Sequence, residues 1–499
     1  MSAFSTYQAI GDTSFLNIAR CTAQRLDGLV PTSGVVPILT VKGVVDTTAS
    51  VIPMTTQVNV LAMCSELALF DTSFVPLVRK LAHGVLGGLD EHTGLLCVEL
   101  PLRSNVPRTA ETSLGAVGAF GAQALARASF VTGDTLFRST SEKILSEIWN
   151  RRNKKNDMIG ETWDLVTDSA GKVAYPGRMF RFDDMGGAYL RALMTALDVH
   201  PSHELQEILV QYERGLIDAI WDTRIASDGG FRYLTDPKGE EQAAEVETMY
   251  GLFIATLLRT LPYIPDAELR RSVIDRCRIH ANGVFLTEYG LKHFMIPHNL
   301  AEGGGYNNEL NDSQLGYAVL QYPLGMCALA HVTDEPSYAK ATKAVIDTLL
   351  VRHRLADAEG VPPGYASMIE TQPPFGRETS YYSSNWCREF LFLPAYLLFA
   401  SIEPSRSVQV DWGNGTIPNV YGLCNSPPFW DLHKVNYDRS AKRLTITTST
   451  GSGLGLIRLD ELGHESIARV IKDGADGRAY EGNTLACEAG AHRYEVFFK

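Results

Sequence analysis

The sequence predicts a mainly α-helical protein: an (α/α)6 toroid followed by a small C-terminal antiparallel β-domain. Three observations carry this expectation. Apolar and amphipathic helical stretches alternate as a weak internal repeat, and the texture changes to short β-like runs after Pro404. The length of 499 residues exceeds one small core, yet suits a closed ring of many helices.

The repeat is marked by its turns. Short polar segments at Asp71-Thr72-Ser73, Thr132-Gly133-Asp134, His200-Pro201-Ser202, Pro265-Asp266 and Asp334-Glu335-Pro336 each follow an apolar stretch and precede a more charged one. Ser and Asp side chains accept from the free N–H groups of a helix start, and Pro fits the first turn. Taking Ser73, Asp134, Ser202, Asp266 and Ser337 as markers gives intervals of 61, 68, 64 and 71 residues, a period of two helices and one long loop.

The helix before each turn is the apolar one: 114–130, 185–197, 249–261, 315–330 and 390–400. A helix apolar on most faces is surrounded by protein. Stretches 204–221 and 268–280 carry one apolar stripe and one charged face, so they lie outside. With 58–70 opening the first pair and 385–400 supplying the last inner helix, six pairs result. An open α-solenoid would use the same units without closure.

The β-like runs after Pro404 are 408–410, 443–448, 454–459, 467–471 and 493–498, separated by Asn414-Gly415, Asp473-Gly474 and Asp476-Gly477. Residues 28–60 are also β-like and rich in Pro and Thr. The expected organisation is an N-terminal extended, β-like arm (1–55), a toroid (56–403) and a β-sandwich-like domain (404–499).

Composition removes several functions. With 45 Lys and Arg against 57 Asp and Glu, the net charge is −12, whereas a nucleic-acid binder needs a basic face. The basic run Arg151-Arg152-Asn153-Lys154-Lys155 reads as a solvated helix end. No run of 18 uncharged apolar residues is present, so no membrane partner is expected. Residues 1–6 lack a basic stretch leading into an apolar one, so a cytoplasmic protein without secretory signal is expected. The eight cysteines form no CxxC pair. Reduced thiols are expected, with no metal and no cofactor. A homo-oligomer stays open.

The C-terminal segment Glu465-Ser466-Ile467-Ala468-Arg469-Val470, then Leu485 through Gly490-Ala491-His492-Arg493-Tyr494-Glu495-Val496, is similar to the closing strands of a known class of β-domain. With the six-hairpin ring it resembles the six-hairpin glycosidases and the toroid-type polysaccharide lyases. That resemblance implies an (α/α)6 fold and a small carbohydrate-like substrate, as an analogy of architecture.

The long loops of such a ring lie on one rim and feed the inner helices. Acidic residues recur there at Glu111, Asp184, Glu247, Asp312 and Glu378, spaced by 73, 63, 65 and 66 residues. In a closed ring they converge on one mouth. Capping at helix starts explains a single member equally simply. Glycosidic hydrolysis needs one protonated carboxyl for the leaving oxygen and a second carboxylate for water or the anomeric carbon. The expected pair is Glu309 or Asp312 with Asp184, with Glu247 and Glu378 in reserve.

Two loops supply binding chemistry. In 303–312 three glycines precede Tyr306, Asn307, Asn308, Glu309 and Asp312, with no strand before and no Lys-Ser/Thr after to make a phosphate cradle. In 377–386, Tyr381, Tyr382 and Trp386 offer flat faces for sugar rings, and Arg377 offers hydrogen bonds to hydroxyls. Sealing of the inner helices is the structural explanation for those aromatics. Asp183-Asp184 reads as an acid/base or metal pair, or as an N-cap.

Three other readings stay open. A lyase would draw a base and enolate stabilisers from His298, Tyr306, Asn307, Arg377 and Tyr381. His293 and His298 lack the helical spacing of a metal pair. Isoprenoid chemistry, as in linalool dehydratase-like toroids, would use Cys327 and Cys387 near an apolar cavity. A non-enzymatic scaffold would show an extended groove and no cluster of acids.

Overall fold

The alternation of apolar and amphipathic stretches becomes two layers of helix. A computed structural model describes residues 13–40, 42–106, 111–112, 115–152, 154, 157, 159, 165–167, 173–174, 180–181, 184–217, 231–232, 234–235, 246–247, 251–282, 299–300, 314–315, 325–326, 329, 332–333, 335, 337–338, 340–341, 354–355, 367–368, 371–372, 432–438, 441, 443–448, 455–458, 467–477, 480–481, 484–487 and 492–499. After α1 (Thr13–Leu29) come α2 (Met54–Phe70) and α3 (Val75–Leu86), then α4 (Phe120–Thr132) and α5 (Thr135–Asn150). Next are α6 (Asp184–Val199) and α7 (His203–Arg214), then α8 (Gly251–Thr260) and α9 (Ala267–His280).

The first helices of successive hairpins pack on one another, α2 on α4, α4 on α6 and α6 on α8. Their partners α3, α5, α7 and α9 pack against them from outside. This is the layering of an (α/α)6 toroid. Pattern explains the division: α4 buries every residue from Phe120 to Ser129, whereas α7 buries the stripe Leu205, Ile208, Leu209 and Tyr212 plus Glu213.

Three of the five markers cap helices. Asp134 accepts from Leu136 N at 3.0 Å, Ser202 from Leu205 N at 3.3 Å, and Asp266 from Glu268 N at 2.9 Å and Leu269 N at 3.3 Å. One of the other two is corrected. Asp71 caps the first turn by accepting from Ser73 N, and Ser73 itself lies inside the short 3-10 helix Thr72–Phe74. Ser337 is helical.

The expected extended arm is corrected as well. Its first half is α1, because Ala19, Ala23 and Leu26, with Val30 just beyond, recur at helical spacing and pack on the core. Arg20 Nε donates to Asp71 Oδ2 at 2.7 Å, and Lys80 Nζ pairs with Asp27 Oδ1 at 2.9 Å, tying α1 across the first hairpin. Of the β-like 28–60, Val51–Pro53 pairs with Glu99–Pro101 and Leu39 bridges Val45. Residues 54–60 instead open α2, where full burial of Val58 and Leu61 outweighs their local preference.

Two inner helices start later than the pattern predicts. The stretch expected at 114–130 begins with a π-helical turn, Gly115–Ala119, before α4. The stretch at 315–330 begins as strand, since Gln314–Leu315 pairs with Thr371–Gln372. Runs 390–400 and 408–410 lie outside the described residues.

Near the C-terminus an antiparallel sheet has the order Leu432–Asp438, Arg443–Thr448, Arg493–Phe498, Ile467–Lys472, Ala475–Gly477. A separate ladder joins Gly455–Arg458, Thr484–Cys487 and Tyr480–Glu481. Asp473 (φ +51°) and Gly474 (φ +83°) form a two-residue turn with both φ positive, matching the right-handed twist of its strands. Asp473 Oδ1 accepts from Arg493 N at 2.8 Å, which ties this turn to the last strand. No described helix is long and apolar enough to cross a membrane.

Candidate active site

The long loops are joined to one another by short antiparallel ladders. Glu111–Thr112, ahead of α4, pairs with Leu165–Thr167, in the loop ahead of α6. Phe180–Arg181, ahead of α6, pairs with Leu234–Thr235, ahead of α8. Val246–Glu247, just ahead of α8, pairs with Phe231–Arg232 and with Asn299–Leu300 in the following loop. Each ladder satisfies backbone groups that a long loop would otherwise leave to water. Together they form a belt over the rim where the inner helices begin.

Beneath the belt runs a polar stripe. On α6 the Tyr189 hydroxyl donates to the Leu145 carbonyl of α5 at 2.9 Å, and its ring lies 5.5 Å from that of Tyr212 on α7. Tyr189 therefore faces the outer layer. Arg191 is two residues on, about 200° around the helix, and so faces inward. Its Nη1 donates to Thr256 Oγ1 of α8 at 3.3 Å, and its Cζ lies 6.0 Å from the Phe120 ring of α4. Thus Arg191 bridges the two inner helices that flank its own.

The stripe continues through Thr195, four residues further along α6. Gln123 Nε2 of α4 donates to Thr195 Oγ1 at 3.1 Å, and Thr195 Oγ1 donates to the Arg191 carbonyl at 2.9 Å. Arg127 follows Gln123 by one turn on α4 and is 4% exposed, as is Arg191. Buried arginines are rare, so two on adjacent inner helices mark this interior as polar. Gly187 completes the packing: a Cβ there would stand 2.9 Å from Arg191 Nη1 and 3.3 Å from Phe253. The guanidinium thus rests at the level of residue 187, one turn below the start of α6.

Of the acids expected at the mouth, Asp184 is the first residue of α6, Glu247 pairs in register with Phe231 and Asn299, and Glu111 pairs with Val166. The belt thus carries Glu111 and Glu247 and leads into Asp184. Glu309, Asp312, Glu378, His298, Tyr306, Asn307, Asn308, Arg377, Tyr381, Tyr382 and Trp386 lie outside the described residues, as do His293, Cys327 and Cys387. Among the described residues, no group of three or more His, Cys, Asp or Glu side chains is arranged to hold a metal ion.

Sequence reasoning passed over Arg127 and Arg191. The available signal was a lone Arg within each of two otherwise apolar inner helices, followed or preceded at four residues by Thr195 or Gln123. Glu213 was also passed over. It is fully buried, and burial pushes its carboxyl up to about 8, opposed by the Thr260 hydroxyl. The buried Cys277 thiol of α9 is raised as well, by its own burial and then by the charge of Glu213. A displaced carboxyl is a common sign of a functional site. Glu213 belongs elsewhere, because Thr260 ends α8 and the mouth lies at the opposite end of that helix.

No protein-family model matches the chain, and no curated relative does. Among solved structures it is similar to a sugar epimerase from a ruminal bacterium, with TM-score 0.56 and 10% identity over 81% of this chain and 100% of that one. It is similar to the α-1,2-mannosidase from Trichoderma reesei, with TM-score 0.56 and 12% identity over 80% and 84% of the two chains. The cellobiose 2-epimerase from Bacillus thermoamylovorans gives TM-score 0.52 and 13% identity over 78% and 99%. These likenesses establish the (α/α)6 toroid fold.

Proposed function

We propose that this chain is a sugar-processing enzyme of the toroid class that hydrolyses a glycosidic bond in a small oligosaccharide or glycoside. The observation that carries the reading is the belt of ladders, which gathers the loops bearing Glu111, Asp184 and Glu247 at the starts of neighbouring inner helices. The α-1,2-mannosidase among the similar structures supports it. In this reading Glu309 or Asp312 forms the catalytic pair with Asp184. The more buried carboxyl of the pair, protonated, assists the leaving oxygen, and the other activates water or attacks the anomeric carbon, with Glu247 and Glu378 as alternates. Tyr306, Tyr381, Tyr382 and Trp386 stack on the sugar, and Asn307, Asn308, Arg377 and His298 bind its hydroxyls.

A second reading, epimerisation, is favoured by the two epimerases among the similar structures. There a proton leaves the carbon beside the sugar carbonyl and returns to the other face, with no bond between sugars broken.

One experiment separates these. Wild type, Asp184→Asn, Glu309→Gln and Asp312→Asn are incubated with natural and aryl glycosides. New reducing ends, lost in one carboxamide variant of unchanged thermal stability, support hydrolysis. Deuterium uptake from D2O without new reducing ends supports epimerisation. Ultraviolet absorbance of a double bond conjugated to a carboxylate supports β-elimination. Silence on every sugar overturns the carbohydrate reading.

A further inference from the structure

We propose that Glu213 is a proton-operated latch of the outer layer: while its carboxyl is protonated the end of α7 stays packed on α8 and α9, and loss of that proton opens this packing and brings the Cys277 thiol to water. The latch is independent of the sugar chemistry proposed above.

One turn of α7 builds it. Glu213 and Tyr212 are both buried. Among the described residues, neither carboxyl oxygen of Glu213 has a hydrogen-bond partner, nor does the Tyr212 hydroxyl. Buried polar atoms are nearly always partnered, so two consecutive exceptions mark this turn. The Thr260 hydroxyl of α8 stands beside the Glu213 carboxyl, but gives its own proton to the Leu257 carbonyl at 2.6 Å. A neutral carboxyl is tolerated in such a place. A carboxylate would be a bare charge in the interior, which either regains its proton or reaches water.

Burial and the Thr260 hydroxyl are what act on this carboxyl, and among the described residues no cation does. Arg214, the next residue, lies at the surface and pairs with Asp266 at the start of α9 at 2.6 Å. From α6 the titratable neighbour is Tyr189, whose ring meets that of Tyr212. From α5 it is Trp149 that meets Tyr212, with Arg152 seated on the indole and paired with Asp157. The turn after α8 carries Tyr263, and the buried stripe of α9 carries Cys277 and His280. The charge of Glu213 acts on the Cys277 thiol, so the two groups share one buried space. Whatever hydrates the carboxyl therefore hydrates the thiol.

The opening is local because the outer layer is held more lightly than the inner one. The 12-residue α7 buries Leu205, Ile208, Leu209 and Tyr212 with Glu213, whereas α4 buries every residue from Phe120 to Ser129. Helices held by a single stripe open below the cost of global unfolding. The carboxyl titrates near 4.5 once hydrated and near 8 when packed. The closed form therefore loses ground as pH rises between these values, by about tenfold per unit.

The test is thiol labelling of the full, native chain with N-ethylmaleimide, read for each cysteine by mass spectrometry after digestion. Wild type and Glu213→Gln are compared at pH 6, 7 and 8. Dividing the wild-type rate by the variant rate at the same cysteine cancels the ordinary pH dependence of thiol chemistry. For Cys277 this ratio is expected to rise about tenfold or more between pH 6 and pH 8. Cys21, exposed on α1, should give a ratio near one at every pH. Cys64, buried in the inner helix α2, should stay unlabelled over the same time.

A flat ratio at Cys277, or a Cys277 that is never labelled, overturns the latch. Labelling of Cys64 in step with Cys277 also overturns it, because the whole fold is then opening rather than the outer layer. Should Glu213→Gln not fold, Glu213→Met, likewise neutral at every pH, replaces it with the same expectation.

Discussion

Tyr189 and Arg191, two positions apart on α6, face opposite walls of the ring. The tyrosine hydroxyl reaches outward to the Leu145 carbonyl at 2.9 Å, and the guanidinium reaches inward to Thr256 Oγ1 at 3.3 Å. One helix thereby separates a structural polar contact from a polar interior, and the two respond differently to substitution.

Tyr189→Phe removes the outer hydrogen bond and leaves a buried carbonyl without that donor. The ring remains against Tyr212, so packing is retained. A stability loss of about 1 kcal/mol is expected, with turnover per folded molecule unchanged. Chemical denaturation checks the first, and a kinetic assay on any active substrate checks the second.

Gln57 is wholly buried and satisfies three backbone groups: it accepts from Val36 N at 2.8 Å, and Nε2 donates to the carbonyls of Gly34 at 2.9 Å and Leu81 at 3.0 Å. It pins the arm to the first hairpin. Gln57→Leu keeps the volume and orphans those groups, so a loss of about 3 kcal/mol is expected. Denaturant unfolding measures it, and faster proteolysis within 30–50 should accompany it. A loss below about 1 kcal/mol would mean the arm is held by its other contacts.

Glu213 makes stability depend on pH in an unusual direction. Its carboxyl is raised from 4.5 to about 8, chiefly by burial. Between these values the unfolded chain releases the proton and the folded protein keeps it. Stability therefore falls as pH rises through that window, by up to about 1.4 kcal/mol per pH unit, and the loss is complete above it. Glu213→Gln, neutral at every pH, should melt progressively higher than wild type from pH 5 to pH 8. An equal difference at both ends would show that the carboxyl does not hold its proton.

Gly474 tests backbone conformation without packing. Its φ of +83° is left-handed, and no atom lies within 4 Å of the site a Cβ would occupy. Gly474→Ala should cost about 1 kcal/mol from the backbone alone. Thermal scanning of the variant checks it, and an unchanged midpoint would mean the turn relaxes.

Much of the architecture was legible from the chain because it rests on local chemistry. Asp134, Ser202 and Asp266 cap their helices through their own side chains, and runs 443–448 and 493–498 match strand boundaries. Where burial overrode local preference, the reading failed. The Val- and Thr-bearing start of α2 looked extended until the fold buried it, and α1 was hidden by a stripe of small residues that matter only against the first hairpin. The candidate site was legible only as a row of acids one repeat apart, of which Glu111, Asp184 and Glu247 fall at the belt or just beyond it. The loops of 303–312 and 377–386 lie outside the described residues.

By itself, then, the sequence determined the period, the inner and outer character of the helices and three of the five strands of the closing sheet, 443–448, 467–471 and 493–498. It missed Leu432–Asp438 and read Asp476-Gly477, which lies in the strand Ala475–Gly477, as a turn. Tertiary structure alone decided which long loops pair into a belt and which neighbours an Arg in an apolar helix meets. Residues 111 and 166, or 191 and 256, are far apart along the chain. Their meeting depends on the packing of neighbouring inner helices and of the loops that lead into them, which no local spacing encodes.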